Sequence, residues 1–360
     1  MMRALTYAVA GMTLVMAHTA TAGQNTFVVS PGMSIQSAID SATNGDLVVV
    51  QAGTYNESIS FGGKRIRVES ESGPELTTID ANGAGSVVSF TDDESLESII
   101  AGFTLTGGTG TSVGSTRGGG VYIAGAEAIV ENCIIRDNTA DLGGGLATTG
   151  GLGVQILGCV FLNNTSTGAT VGGGAVWTSF NPPSLKNCTF VGNSSANGGV
   201  AYIAPGTQIR VVNCVLWNNT ATSNPNFGPN GTAPIVTESN IEGGWTGSNN
   251  IDADPMFANL AGGDLRLLAG SPCIDRGDSG QVIALGRDAA WATRGANDPA
   301  TPDRGVAALG NVVDMGAYEF QTVAAPSSCR ADISGPFGVP DGMVGFQDIL
   351  EVISAWGMCP

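Results

Sequence analysis

The chain has 360 residues, of which 42% are hydrophobic and 12% are charged, and its formal net charge is −17. This composition is typical of a folded protein, and the acidic balance excludes nucleic acid as an expected partner because the protein surface would repel phosphate. Fifty-four glycines without a collagen triplet indicate many tight turns in an all-β chain.

Residues 1–22 are predicted to be a secretory signal peptide. Arg3 precedes an apolar run from Ala4 to Met16, and Ala20-Thr21-Ala22 has the small-residue pattern of a cleavage site. The run is too short to span a bilayer, and no other run is long enough, so we expect a secreted or cell-surface protein without a transmembrane span. Cleavage would remove His18, the single histidine, and with it any imidazole base or histidine metal ligand.

The segment that follows predicts an end cap. Residues 35–42 have the apolar spacing of a short amphipathic helix, and residues 47–51 have the composition of a buried strand. A helix here would cover one open end of a stack of strands, whose edges would otherwise be exposed.

Four segments repeat with a cysteine at the same position, at spacings of 26, 29 and 26 residues. The cysteines are Cys133, Cys159, Cys188 and Cys214. Asparagine recurs five positions later, at Asn138, Asn164, Asn193 and Asn219. A glycine cluster precedes each cysteine, at 118–120, 143–145, 172–174 and 198–199. A period of this length is typical of a solenoid.

One residue of each repeat is predicted to form a bend. Apolar residues at −3, 0 and +2 from the cysteine cannot all face inward along one strand, because strand side chains alternate. Position −1 holds residues that tolerate a left-handed backbone, namely Asn132, Gly158, Asn187 and Asn213. We therefore predict parallel coils with unpaired, buried cysteines and a hydrogen-bonded asparagine ladder. Residues 102–108 fit the same frame, with Phe103 in place of the cysteine.

The outward positions are unusually apolar. They include Ile134, Val160, Leu162, Val191 and Val215. Aligned on the glycine clusters, the outward residues of the next strand are Tyr122, Ala147, Val176 and Tyr202. Exposed aromatic side chains could stack on sugars. We instead expect residues 220–320 to fold back and cover the apolar set.

The chain resembles secreted right-handed parallel β-helix proteins of the pectin-lyase-like superfamily. The resemblance rests on SIQSAID (34–40), NGDLVVV (44–50) and GTYNE (53–57), on the GGG and NCTF segments of the coils, and on GSPCIDRGD (270–278) with VDMGAYEF (313–320). The resemblance covers roughly residues 27 to 320. It implies an all-β, right-handed parallel β-helix solenoid with an N-terminal helical cap. It implies no single chemistry, because that superfamily contains lyases, hydrolases, esterases and non-catalytic adhesins.

The sequence leaves catalysis open. Residues 53–57 and 285–291 are similar to pieces of pectin esterase motifs, but that family's central carboxylate motifs are missing, and polygalacturonases need a histidine. Polysaccharide lyases can use arginine or lysine as the base, with calcium acidifying the substrate, which makes Arg136 and Lys186 candidates. The alternative interpretation is that both are solvated surface charges. We favour a non-catalytic protein that binds extracellular polysaccharide or matrix; the alternative is a calcium-dependent lyase of uronate-containing glycans.

The predicted β-helix domain spans residues 23–320, with an irregular part from 220, and residues 321–328 are predicted to be a linker. Residues 329–360 are too few to fold without a staple or a metal, and a disulfide between Cys329 and Cys359 would close them into a loop.

This C-terminal module resembles half of a dockerin, with an EF-hand-like calcium loop. The ligands implied by the resemblance are Asp332, Ser334, Asp341, the Met343 carbonyl and Asp348. The loop carries five additional residues before Asp341, and cohesin-binding dockerins have two copies where this chain has one. Structural calcium is therefore expected, while a cohesin-like or other anchoring partner stays open.

Overall fold

Parallel β-sheets form the walls of a solenoid in the computed structural model, which describes residues 23–321 except 152, 181, 229–231, 282–284 and 309. The described chain up to Phe320 belongs to one unit. The predicted signal peptide, the disulfide, the calcium ligands and nearly all of the linker lie outside the described residues. No helix in the described ranges is long and apolar enough to cross a membrane.

From Leu47 to Gly228, each coil passes through sheet 1, then sheet 2, then sheet 3. Sheet 1 consists of Thr26–Val29, Leu47–Val50, Arg67–Ser70, Ile99–Ala101, Ile129–Glu131, Gln155–Leu157, Ser184–Lys186, Arg210–Val212 and Ile235–Thr237. Sheet 2 consists of Gly53–Tyr55, Thr77–Asp80, Thr104–Thr106, Ile134–Arg136, Val160–Leu162, Thr189–Val191, Val215–Trp217 and Asn240–Ile241. Sheet 3 consists of Ile59–Ser60, Val88–Phe90, Val121–Ala124, Leu146–Thr149, Val176–Ser179, Ala201–Ile203 and Phe227–Gly228.

Shorter elements complete the described chain. A narrow fourth parallel sheet lies between sheets 2 and 3 along the chain, with strands Thr139–Ala140, Thr165–Ser166, Ser194–Asn197 and Thr220–Ser223. Two antiparallel hairpins pair Thr111–Val113 with Ser115–Arg117 and Phe257–Asn259 with Asp264–Leu267. The helices are the α-helix Ile35–Ser41 and the 3₁₀ turns Leu260–Gly262 and Ser279–Gln281.

The predicted bend between sheets 1 and 2 is confirmed. All four residues at position −1 have a left-handed backbone, with φ of 49° at Asn132, 63° at Gly158, 48° at Asn187 and 55° at Asn213. A Cβ atom at Gly158 would meet Oδ1 of Asn132, so a side chain there would require the Asn132 amide to move. The phase change that this bend introduces lets both flanking strands direct apolar residues inward.

The interior contains the two predicted ladders. The repeated cysteines are fully buried and unpaired, and burial raises the pKa of Cys159 and Cys214 well above the usual thiol value. Asn138, Asn164 and Asn193 each donate from Nδ2 to Oδ1 of the next asparagine in the series, at 3.1, 3.0 and 2.9 Å. The asparagine ladder is therefore a buried polar row with its amides paired.

The N-terminal cap is also confirmed. Ile35 and Ile39 of the α-helix are buried in the solenoid core. Ser34 accepts a hydrogen bond from the backbone N–H of Ser37, and Nζ of Lys64 donates to the carbonyl oxygens of Ile39 and Asp40. Backbone groups at both ends of this short helix thus have hydrogen-bond partners. The helix can therefore cover the core without leaving many backbone groups unpaired.

The fold-back of the C-terminal part is confirmed, although it starts later than residue 220. Coil strands continue to Ile241, and Trp245 then packs on the core, edge-on against Phe227 at 4.9 Å between ring centroids. The chain from residue 257 onward, here called the C-terminal segment (257–320), covers the outer face of sheet 2. Its buried contacts there are Leu265, Leu267, Cys273, Ile274, Ala289, Met315, Ala317 and Tyr318.

Candidate functional site

Residues 53–57, the first of the two esterase-like elements, have a structural role. The hydroxyl of Tyr55 donates to the carbonyl oxygens of Val29 and Gln51. The carboxylate of Glu57 accepts hydrogen bonds from the backbone N–H groups of Ile35 and Gln36, at 2.7 and 3.2 Å. Glu57 therefore completes the N-terminal cap of the helix, and its oxygens are used in folding.

The second esterase-like element, residues 285–291, docks the C-terminal segment on the early coils. The indole of Trp291 lies so close to Gly73 and Gly102 that a Cβ atom at Gly102 would be 2.5 Å from the ring. The guanidinium of Arg287 lies 5.3 Å from the centroid of the same ring. Two glycines thus provide a flat surface for one tryptophan, which explains the element without a catalytic role.

The two lyase candidates lie on different sheets. Arg136 ends its strand on the outer face of sheet 2 and pairs with Asp137, at 2.6 Å between Nε and Oδ2. Lys186 belongs to sheet 1 and donates from Nζ to the carbonyl oxygen of Gln281, at 3.5 Å. The structure therefore does not bring them together as one acid–base pair, and Lys186 helps to hold the segment that covers the solenoid.

Acidic residues of GSPCIDRGD (270–278) and VDMGAYEF (313–320) form a buried carboxylate network. Oδ1 of Asp314 accepts from the backbone N–H of Asp275 at 2.7 Å, and Nη1 of Arg294 lies 3.4 Å from Oε2 of Glu319. Burial raises the pKa of Glu319 to about 7 and of Asp275 to about 6, and it raises the pKa of Asp314 well above the usual range. The described residues contain no group of three or more acids or thiols arranged to hold a metal. This network fastens the C-terminal segment together.

The outer face of sheet 3 carries an aromatic row. Its register pairs Tyr122 with Ala147, Ala147 with Trp177, and Trp177 with Tyr202. The alignment on glycine clusters, which placed Val176 in this row, is wrong by one residue, because the left-handed glycines that correspond are Gly118, Gly143, Gly173 and Gly198. Val176 instead faces the core.

The aromatic row is buried under loops of the coils themselves. Tyr122, Trp177 and Tyr202 are 4%, 8% and 4% exposed, and they pack against Leu142 and Val171. The exposed aromatic face considered from the sequence for Tyr122 and Tyr202 is therefore not present, and Trp177 is buried with them. What reaches the surface is the rim of this cluster, where the hairpin 111–117 ends at the half-buried Arg117.

Arg117 and Trp177 form the most polar part of this cluster. The guanidinium carbon of Arg117 lies 5.3 Å from the centroid of the Trp177 ring, within cation–π distance. Neither Nε of Arg117 nor Nε1 of Trp177 has a hydrogen-bond partner among the described residues, and both atoms are buried. The hydroxyl of Ser195, from the neighbouring fourth sheet, is likewise unpaired within the described ranges. Unpaired buried donors cost stability, so a ligand oxygen that reached them would be bound favourably.

Sequence reasoning missed Arg117 and Trp177 for an identifiable reason. The coil that contains the strand Val176–Ser179 has an additional residue before that strand, so an alignment on the first glycine of each cluster moves Trp177 out of the aromatic row. An alignment that kept apolar residues at inward positions would have placed Val176 inside and Trp177 outside. We name the set Tyr122, Trp177, Tyr202 and Arg117 the sheet 3 cluster.

Comparison with known proteins agrees with the architecture. A family model described as a right handed beta helix region matches residues 66–242. With the parallel sheets, this match identifies the fold as a right-handed parallel β-helix. No curated protein shows significant similarity to the chain.

Two crystal structures are similar at low identity. A pectate lyase, Pel9A, has 15% identity and a TM-score of 0.39, with 82% of this chain and 96% of that chain covered. A pectin methylesterase mutant in complex with a hexasaccharide has 13% identity and a TM-score of 0.32, with 63% of this chain and 80% of that chain covered. At these scores the similarities carry no argument about activity or substrate.

Proposed function

We propose that the protein is a secreted β-helix that binds extracellular polysaccharide or matrix without catalysis. The observation that carries the proposal is the Arg117–Trp177 pair, in which two buried donors beside an aromatic ring lack partners among the described residues. Sugar hydroxyl oxygens accept hydrogen bonds, and the apolar face of a sugar ring packs on aromatic side chains. The sheet 3 cluster offers the donors, Nε of Arg117 and Nε1 of Trp177, at its rim beside the half-buried Arg117, while its aromatic rings are buried.

The outer faces that other parts of the chain cover also favour sheet 3 as the binding surface. The outer face of sheet 2 is occupied by the C-terminal segment, and Leu157 of sheet 1 packs against Leu285 and Val313. The sheet 3 cluster packs against residues of the coils instead. A ligand that approached sheet 3 would therefore compete with short loops rather than with the whole C-terminal segment.

Binding to a panel of polysaccharides tests the proposal. Affinity electrophoresis of the full chain should show retardation by at least one polysaccharide, and Arg117→Gln should weaken it. Arg210→Gln is the matched control, because Arg210 is an exposed arginine at the start of a sheet 1 strand. Equal retardation of the wild type and Arg117→Gln would remove the assigned surface, and no retardation by any polysaccharide would remove the function.

The C-terminal module is proposed to be a calcium-stabilised anchor or sorting element. Its implied ligands, Asp332, Ser334, Asp341, Met343 and Asp348, supply the oxygen atoms that calcium prefers. Calorimetric titration of the full chain with calcium should detect binding that Asp348→Ala abolishes, with Asp40→Ala as an exposed control. Calcium binding that is unchanged in Asp348→Ala would refute this ligand set.

A further inference from the structure

Phe180 is a bulky aromatic residue that folding leaves exposed. It directly follows the sheet 3 strand Val176–Ser179, and 86% of it is accessible to solvent. Its backbone is left-handed, with φ of 69°. A left-handed backbone is unfavourable for a residue with a large side chain, and an exposed ring contributes little to the core. The requirements of folding therefore do not account for a phenylalanine at this position.

The two preceding coils have glycine at the corresponding position. Gly125 and Gly150 follow the strands Val121–Ala124 and Leu146–Thr149, and each has φ of 66°. In these three neighbouring coils the turn has a left-handed residue at this position, and glycine adopts that backbone at the lowest cost. Phe180 adds a ring beside two positions that have no side chain.

Small residues separate Phe180 from the sheet 3 cluster. The register places Ala124, Thr149 and Ser179 side by side on the outer face, two residues after Tyr122, Ala147 and Trp177. All three are half-buried. They form a shallow track along the solenoid axis, bounded by the aromatic row on one side and by the glycine turns with Phe180 on the other.

Acidic residues lie in a turn that follows a sheet 3 strand, and they favour neutral over anionic ligands. The turn after the earlier sheet 3 strand Val88–Phe90 exposes Asp92, Asp93 and Glu97, and the whole chain has a net charge of −17. An acidic surface repels anionic glycans and anionic membranes, whereas a neutral sugar incurs no such cost. The apolar face of a neutral sugar ring can pack flat on an exposed aromatic ring such as Phe180.

We propose that Phe180 is a stacking platform for a sugar ring of a neutral polysaccharide, whose chain lies along the track formed by Ala124, Thr149 and Ser179. This inference rests on the proposed polysaccharide-binding function and names its ligand class and a main contact. The repeated coils present equivalent positions at about 4.8 Å intervals, which suits a ligand that is itself a repeating chain.

Substitutions at Phe180 separate stacking from folding. Phe180→Asn removes the ring and keeps a residue that tolerates a left-handed backbone, so its thermal midpoint should equal or exceed that of the wild type. Its affinity for neutral polysaccharides should fall about tenfold, the loss expected for one aromatic contact. Phe180→Trp should retain the affinity. Leu76→Asn is the control for removal of an apolar side chain elsewhere, since Leu76 is 62% exposed.

Affinity electrophoresis with neutral polysaccharides and with polygalacturonate, together with sedimentation analysis, decides the outcome. Binding by the wild type that Phe180→Asn leaves unchanged overturns this inference and leaves the proposed function standing. Stronger binding to polygalacturonate than to any neutral polysaccharide overturns the ligand class. A wild-type dimer that Phe180→Asn converts to monomer assigns the ring to self-association and also overturns the inference. Failure of the wild type to bind any glycan overturns both proposals.

Discussion

Nδ2 of Asn187 donates a hydrogen bond to the carbonyl oxygen of Asp314, at 2.9 Å, across 127 residues of sequence. Asn187 is one of the bend residues between sheets 1 and 2, and Asp314 belongs to the buried carboxylate network of the C-terminal segment. Asn213, the bend residue of the following coil, pairs with the backbone of Asp278 through both atoms of its amide. Asn187 and Asn213 therefore turn the chain and also dock the segment that covers the solenoid.

Asn187→Gly should loosen that docking while the bend is kept, because glycine adopts the left-handed backbone readily. The variant loses donors to Asp314 and Gly316 and an acceptor for Asn213. We expect a loss of about 1 to 3 kcal/mol in the free energy of unfolding, measured by urea denaturation. Asn218→Gly is the matched control, since Asn218 has φ of 54° and is exposed. Equal midpoints for the two variants would contradict the docking role.

Asn164→Ala tests the interior ladder. Oδ1 of Asn164 accepts from Asn138, and its Nδ2 donates to Asn193 and to the carbonyl oxygen of Ile135. Removal takes away the acceptor of the backbone N–H and of Nδ2 of Asn138, and one of the two donors to Oδ1 of Asn193, so we expect a loss of about 1 to 3 kcal/mol. Chemical denaturation of the variant and of Asn163→Gly, an exposed change next to it, measures the difference. A midpoint that matches the wild type would show that the ladder contributes nothing to stability.

The sequence predicted the coil more completely than the surface. Val130 and Cys133 are three residues apart and both face inward, which one regular strand does not allow because its side chains alternate. A bend was therefore predicted between them, and Asn132 forms it. In the sheet 3 cluster, Tyr122 and Tyr202 were predicted on the outer face, but Trp177 was missed, because one additional residue before it changes the alignment on glycines without changing the composition. The role of Trp291 was also hidden, since it depends on contact with Gly73 and Gly102, far away in sequence.

Stability should fall as pH rises from about 5 to about 7.5. Burial raises the pKa of Asp275 to about 6 and of Glu319 to about 7, above the values of 3.8 and 4.5 that these groups have when unperturbed. Between those limits the folded protein binds more protons than the unfolded chain, so raising the pH favours unfolding. Thermal unfolding at a series of pH values measures this trend, and a midpoint that rises with pH across the window would contradict it.

Asp275→Asn should reduce this pH dependence and raise stability at about pH 7.5, because the amide removes a charge that burial disfavours. Oδ1 of Asp275 has no partner among the described residues, and φ of 49° at this position suits asparagine. Glu97→Gln, at an exposed acid, is the control. A loss of stability in Asp275→Asn equal at every pH would assign the residue a role that does not depend on titration.

Thiol reactivity should separate the two groups of cysteines. Cys133, Cys159, Cys188, Cys214 and Cys273 are fully buried, and burial raises the pKa of Cys273 to about 12. Native protein should therefore leave all five unmodified by iodoacetamide, which attacks the thiolate. Unfolding without reductant should expose these five alone if Cys329 and Cys359 form the predicted disulfide. Mass spectrometry counts the modified residues, and modification of all 7 cysteines without reductant would contradict the disulfide.

The central claim is that the solenoid binds polysaccharide without cleaving it. Incubation of the full chain with neutral and uronate polysaccharides, in calcium and in chelator, with bound protein and ultraviolet absorbance of unsaturated products followed together, tests that claim most directly. We predict that the protein is retained on a neutral polysaccharide and that no unsaturated product accumulates. Product that forms from a uronate polysaccharide and disappears with chelator would contradict the account and establish a calcium-dependent lyase instead.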